Sequence, residues 1–246
     1  MTTTVSNFGV INAASAGSIF KTYQVQQSSD DAEEDVLDGN INLTSSDLEM
    51  VYDGTTEQIV GIRFSNIDIP TNATIKSAHL RFFTDNDSID GDINLTIAGE
   101  KIANSPTFSS TDYNVSSRQD TLATVTWTPE DWNNYWTSEE KQKSPDISSI
   151  VNEIITEGWI SGNAMTFFIE GDSTNTRSSY SADYTSSSRM PRLTIEYEAP
   201  EVTCDYTPEI LTNSTYLPDY SYAGYKWSEE ATPAYNASTP DITYVD

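Results

Sequence analysis

The chain is short of cysteine, histidine and positive charge, and each shortage closes off a kind of chemistry. Cys204 is the single cysteine among 246 residues, so the chain can build neither a disulfide framework nor a cysteine-based metal site. His79 is the single histidine. A Ser-His-Asp triad, a Cys-His dyad or a multi-histidine zinc site would each have to use it. It falls in "IKSAHLRFF", where Ala78, Leu80 and Phe82 alternate with His79 and Arg81, the pattern of a half-buried strand that places His79 at the surface. Lys and Arg number 12 against 38 Asp and Glu, a formal net charge of -26. That field repels nucleic acid, whose binding needs Lys and Arg to replace counterions, and it disfavours anionic membrane surfaces. Divalent cations and neutral ligands are favoured, and the acidity suits solubility in salty, marine water. No apolar run approaches membrane-spanning length, and "MTTTVSNFGV" lacks the basic and apolar regions of a signal peptide. A secreted, extracellular protein whose signal is already gone is the expectation. The sequons at Asn42, Asn72 and Asn94 are of the kind that arise by chance in a chain rich in Ser, Thr and Asn.

What is present supports a buried core: 36% hydrophobic and 11% aromatic residues argue against global disorder. Short alternating stretches dominate. "EQIVGIRFS", "ATIKSAHLRFF", "INLTIAG", "LATVTWT", "AMTFFIEG" and "RLTIEYE" read as strands separated by turns rich in Asp, Asn, Ser and Gly. Strand-helix alternation is missing, so the pattern predicts an all-β antiparallel sandwich of jelly-roll type. One amphipathic α-helix interrupts it. "SPDISSIVNEIITEGW" offers Ser144 as N-cap and Pro145 at the first helical position. Ile147, Ile150, Val151, Ile154 and Ile155 then form an apolar stripe, and Gly158 closes the C-terminus. "TPEDWNNYW" reads as a shorter helix capped by Thr128. From about residue 200 the chain becomes rich in Pro and Tyr without a sustained period. Residues 1–199 are therefore expected to form the sandwich, and 200–246 a linker or irregular C-terminal extension.

Several segments, in order, resemble a known family: "SSDDAEED", "SSDLEM", "VGIRFSNIDIPTNATIKSAHLRF", "LTIAGE", "TVTWTPEDW", "SPDISSIVNEIITEGWISGNAMTFFIEG" and "MPRLTIEY". Together they are similar to the DNRLRE-type β-sandwich family, which includes carbohydrate-binding module family 96, over about residues 20–198. The resemblance implies a non-catalytic module attached to a secreted enzyme that degrades polysaccharide, alginate among the substrates. The tail, "LPDYSYAGYKWSEEATP", resembles the lead-in to right-handed parallel β-helix domains, with "DITYVD" as a first strand. That resemblance implies a downstream catalytic domain in the native polypeptide. A monomer that binds polysaccharide, and neither nucleic acid nor membrane, is the expectation.

The candidate sites follow from residue chemistry set in that frame. "SSDDAEEDV" packs five acids into six positions. Asp30, Asp31, Glu33 and Glu34, joined by Asp47 and Glu49 of "SSDLE" if the two segments meet, form a candidate Ca²⁺ site, because calcium takes six to eight oxygen ligands. A solvated acidic loop is the competing reading. "DNDSIDGDI", with Asp85, Asp87, Asp90 and Asp92, is a second candidate, although a hairpin turn between strands ending at Phe83 and beginning at Ile93 explains it better. Among 38 acids some pair always stands at glycosidase spacing, so paired carboxylates carry no signal for catalysis. Sugar C–H faces stack on aromatic rings. Trp132 and Trp136, four apart, are candidate platforms, with core packing as the alternative, which also holds for Trp159. The segment "GDSTNTRSSYSADYTSSSRMPR" carries Arg177, Tyr180, Tyr184, Arg189 and Arg192, and is the preferred sugar-contact loop. Its arginines suit a uronate or sulfate, or else pair with neighbouring acids. The alternatives to a binding module are a structural or adhesive spacer without a sugar ligand, and a polysaccharide lyase or hydrolase.

Overall fold

The computed structural model describes residues 17–85, 91–132, 142–171 and 174–200. The expected C-terminal extension and its β-helix lead-in lie outside them. Twelve strands and one helix follow in order: β1 (Ile19–Gln24), β2 (Asp31–Asp35), β3 (Ile41–Asn42), β4 (Asp47–Met50), β5 (Tyr52–Asp53), β6 (Thr56–Phe64), β7 (Thr74–Arg81), β8 (Leu95–Gly99), β9 (Val125–Trp127), α1 (Ser148–Thr156), β10 (Met165–Gly171), β11 (Arg177–Tyr180) and β12 (Arg192–Glu198). All their pairings are antiparallel. The largest sheet runs β3-β2-β6-β10-β8-β9, with β5 also paired to β6. A three-stranded sheet runs β1-β12-β7, and β11 pairs with β4. A bridge between Thr84 and Ser179 ties the chain leaving β7 to β11. The chain is an antiparallel all-β sandwich.

The alternating strands fold as their periods dictate. On β12, Leu193, Ile195 and Tyr197 turn inward while Arg192, Thr194, Glu196 and Glu198 face out. On β7, Ala78 and Leu80 are buried and His79 lies between them, half-buried, with Nδ1 3.0 Å from the Ser144 carbonyl. These residues meet Val60, Ile62 and Phe64 of β6, Phe167 and Ile169 of β10, and Leu95 and Ile97 of β8 in one core. Ile147, Ile150, Val151 and Ile154 complete it, as their helical spacing predicts, and Gly158 ends the helical segment with φ +95°. The helix reaches the sheet because Gly99 has no side chain: a Cβ there would lie 2.6 Å from Ile150.

Three local expectations are corrected. Ser144 does not cap α1. Its Oγ accepts the Leu80 amide and donates to the Pro145 carbonyl, fastening the helix approach to β7. Asp146 takes up the capping work, accepting the Ser148 amide at 2.9 Å and the Ala78 amide at 2.9 Å. Thr128–Trp132 is not helical; the rest of "TPEDWNNYW" lies outside the described residues. The segment between β7 and β8 is not a hairpin either, because β7 and β8 belong to different sheets and the chain crosses between layers.

A second, smaller core covers the opposite face of the large sheet, where Ala32, Ile41, Phe108, Val115 and Phe168 come together under the 101–120 loop. Phe108 lies directly on the backbone of β6, since a Cβ on Gly61 would stand 2.5 Å from its ring. Gly61→Ala is therefore expected to destabilise the protein by about 1–3 kcal/mol through overpacking. Urea denaturation checks this, and adding Phe108→Ala should shrink the further penalty that Gly61→Ala brings.

Candidate functional site

The acid-rich stretch is a strand rather than a loop. A strand sends alternate side chains to opposite faces, so its acids cannot all converge on one point. Ala32 and Glu34 face the smaller core, where Glu34 Oε2 accepts the Val115 amide at 2.7 Å and the Ser116 amide at 3.0 Å. Asp30, in the turn before β2, pairs with the Arg63 guanidinium. Asp30 and Glu34 are thereby removed from the predicted calcium set: each is buried and already committed to another partner.

Asp31 and Glu33 point the other way and meet new neighbours. Glu33 Oε1 accepts the Glu49 amide and the Gln58 side-chain amide, both at 2.9 Å. Asp31 Oδ2 accepts the Ala182 amide at 2.7 Å. Asp47 takes a hydrogen bond from Ser45 Oγ at 2.8 Å. The two acidic segments do meet, and a fifth acid, Asp183, joins them. One of its oxygens accepts from Ser28 Oγ at 2.7 Å, while Oδ2 is buried without a hydrogen-bond partner among the described residues. Asp183 was missed in the sequence because it stands alone in "YSADY", with no acidic neighbour to mark it.

Burial raises the carboxyls of three of these acids, Asp31, Glu33 and Glu49. It pushes the Asp31 carboxyl up to about 8, helped by the charges of Asp183, Glu33 and Asp30 and opposed by the Ala182 amide. Burial likewise pushes Glu49 up to about 10, helped by its interactions with Glu33 and Asp47. Glu33 is also raised, again chiefly by burial. Among the described residues no three acidic or imidazole groups already stand at metal-ligand distance around one point.

The predicted sugar contacts divide sharply. Arg177 is 1% exposed and serves as a structural bolt. Its Nε donates to the Glu130 carbonyl at 2.9 Å, and its Nη2 to the Gly91 carbonyl at 2.7 Å and Asp131 Oδ1 at 2.9 Å. Trp132 is fully buried, 5.9 Å from Trp127 and 6.1 Å from Phe82 between ring centres. Neither can meet a polymer, so both are corrected from ligand contacts to internal packing. Trp159 is core as well, its Nε1 donating to the Ile69 carbonyl at 3.1 Å. Trp136, Asp87 and Asp90 lie outside the described residues. Of the second acidic stretch, Asp85 Oδ2 accepts from Ser178 Oγ at 2.7 Å and the Asp92 carbonyl accepts from Asn175, which ties the segment to the neighbourhood of β11.

Tyr180, Tyr184 and Arg189 remain together. Tyr184 stacks on Tyr180 with ring centres 3.8 Å apart, and the exposed Arg189 guanidinium sits 5.4 Å from the Tyr180 ring centre. Tyr180 is covered, so Tyr184 and Arg189 form the accessible part of the stack. No protein-family model matches the chain, and no curated protein matches it. No helix among the described residues is long and apolar enough to cross a membrane.

Two outcomes follow. Asp31 and Glu49 hold protons far more tightly folded than at their ordinary values of 3.8 and 4.5. The stability tied to them is complete below about pH 4 and is lost as pH rises through 8 and then 10. The melting temperature should fall between pH 5 and pH 9, and Asp31→Asn with Glu49→Gln should flatten that slope. Glu34→Ala should cost about 1–3 kcal/mol in urea denaturation, because it strips two amides of their acceptor.

Proposed function

We propose that the chain is a non-catalytic carbohydrate-binding module, calcium-stabilised, that holds a secreted polysaccharide-degrading enzyme on a substrate such as alginate. The observation that carries this reading is the Tyr180–Tyr184 stack with Arg189 beside it. It offers a rigid aromatic face and a cation on the surface of a rigid sandwich, which suits the apolar face and polar rim of a sugar ring. Tethering raises the local concentration of the enzyme on the polymer without altering its chemistry. The resemblance of the sequence segments to family 96 modules points the same way.

Calcium enters through donor chemistry. Asp31, Glu33, Asp47, Glu49 and Asp183 are all hard oxygen donors, and Asp183 Oδ2 is buried without a hydrogen-bond partner among the described residues. That set fits Ca²⁺ rather than a thiophilic or imidazole-seeking metal. An ion would have to draw the side chains inward and take the place of the protons on Asp31 and Glu49. A spacer without a sugar ligand is the competing reading, favoured by the closure of Arg177 and Trp132 on the protein's own interior.

Affinity electrophoresis in gels of alginate, pectate and neutral glucans tests the module. Retardation in at least one gel, weakened by Tyr184→Ala, is expected; migration unaffected by every polymer would establish the spacer instead. For calcium, millimolar Ca²⁺ should raise the melting temperature at pH 8 more than at pH 5, and EDTA should reverse it. Equal melting with and without the ion would remove calcium from the description.

A further inference from the structure

We propose that Tyr113, laid flat on Gly39, is a second sugar-stacking platform and takes an uncharged pyranose ring of a polysaccharide. This rests on the binding-module reading and extends it beyond the Tyr180–Tyr184 stack. Two left-handed backbones meet here. Gly39, in the turn between β2 and β3, has φ +75°, and Tyr113, in the 101–120 loop, has φ +61°. Glycine adopts that conformation freely, whereas a tyrosine keeps it only where its surroundings hold it there. The Tyr113 amide donates to the Gly39 carbonyl at 2.8 Å. The ring lies face-on over the glycine: a Cβ on Gly39 would stand 2.5 Å from Cγ, 2.5 Å from Cδ1 and 2.6 Å from Cδ2. One face of the ring is thus seated on backbone. Tyr113 is nevertheless 46% exposed, and Val36 and Leu37 of the turn beneath it are 45% and 89% exposed.

Both sides of the seat are fixed. In the turn, Asp35 Oδ1 accepts the Leu37 amide at 2.7 Å and Asp38 Oδ1 the Asn40 amide at 3.0 Å. In the loop, Glu34 Oε2 holds the amides of Val115 and Ser116, and Arg118 gathers the carbonyls of Pro106, Thr107 and Asn114. Shielding the turn occupies only the seated face of the ring. The remaining face is aromatic, held in place and open to water, and little of its freedom is left to lose when a sugar's C–H face stacks on it. The charges around the ring decide the class of sugar. Asp38 directly precedes Gly39 and Asp112 directly precedes Tyr113, and both are exposed. Neither residues 36–40 nor residues 109–114 include a Lys or Arg. Arg118, the next cation after Tyr113, is turned to the Glu100 carboxylate, the loop carbonyls and the Phe108 ring. A uronate or sulfate would meet carboxylates here without a counter-charge, so an uncharged ring is favoured. The subsite accordingly adds an uncharged sugar to the polymers the module would hold.

The test titrates the whole protein by calorimetry with a neutral β-glucan, a galactomannan, polymannuronate and pectate. Tyr113→Asn removes the ring but keeps a residue that tolerates φ +61°, so its melting curve should match the parent. It should weaken binding of the neutral polymers about tenfold, the loss of one stacking contact, while Tyr113→Phe binds like the parent. A second measurement needs no variant: a neutral oligosaccharide should shift the amide resonances of residues 36–39 and 111–114 in the parent, and shifts confined to other residues overturn the subsite. Neutral-polymer affinity unaltered in Tyr113→Asn overturns it too, as does a parent that binds only uronates, and in these cases the module reading stands without it. A parent that dimerises through this ring, with Tyr113→Asn monomeric in sedimentation, gives the surface to a second copy and likewise overturns it. No binding to any polymer removes both the subsite and the module.

Discussion

Buried carboxylates in a chain with few cations must find other donors, and that constraint organises the molecule. With 12 Lys and Arg against 38 acids, ion pairing can satisfy only a minority. The backbone supplies the rest. Glu34 takes the amides of Val115 and Ser116, Asp31 that of Ala182, and Glu33 that of Glu49. The more exposed Asp146 and Glu153 are held the same way, Asp146 by the amides of Ala78 and Ser148 and Glu153 by those of Leu122 and Ala123. Most of these bonds join segments distant in sequence, so the acids act as pins between loops and strands. A buried charge left without such a donor costs more than the bond contributes, which makes each pin specific as well as stabilising. The Arg118 guanidinium does the complementary work, gathering the carbonyls of Pro106, Thr107 and Asn114 and the Glu100 carboxylate while lying on Phe108.

This economy explains which parts of the fold can be read from the sequence. The strands β6, β7, β8, β9 and β12 largely alternate apolar and polar residues, β10 is an apolar run buried on both faces, and the stripe of α1 keeps its helical period, so hydrophobic pattern alone finds them. β2 and β11 escape that reading. β2 is Asp-Ala-Glu-Glu-Asp and β11 is Arg-Ser-Ser-Tyr, yet four of the five residues in β2 and all four in β11 are buried. Their burial is supported by hydrogen bonds rather than apolar transfer, and single-residue hydrophobicity carries no trace of a partner far along the chain. Arg177 and Trp132 mislead for the same reason. Arginine in a small polar segment and tryptophan near a turn look like ligand contacts, until the carbonyls of Gly91, Pro129 and Glu130 and the ring of Phe82 are brought to them. The alternation within β2 decides the acid cluster as well. The four acids of β2 separate onto two faces, and only those sharing a face with Asp31 can share an ion or a proton.

The segment from Tyr180 to Tyr184 is where the two candidate chemistries meet. Tyr180 lies opposite Asp47 in the β11-β4 pairing, Ala182 is tied to Asp31, Asp183 stands among the buried acids, and Tyr184 returns to stack on Tyr180. Five consecutive residues thus alternate between an aromatic platform and an acidic interior. A change in the charge held by Asp31, which accepts the Ala182 amide, acts on the backbone two residues before Tyr184. A proton on Asp31 relieves the repulsion of the carboxylates gathered around it, and Asp31 is tied to this segment through the Ala182 amide. On the proposed reading, the acid group is then the support of the sugar-contacting face, and calcium or acidity would govern affinity through the geometry of the stack rather than by touching the polymer.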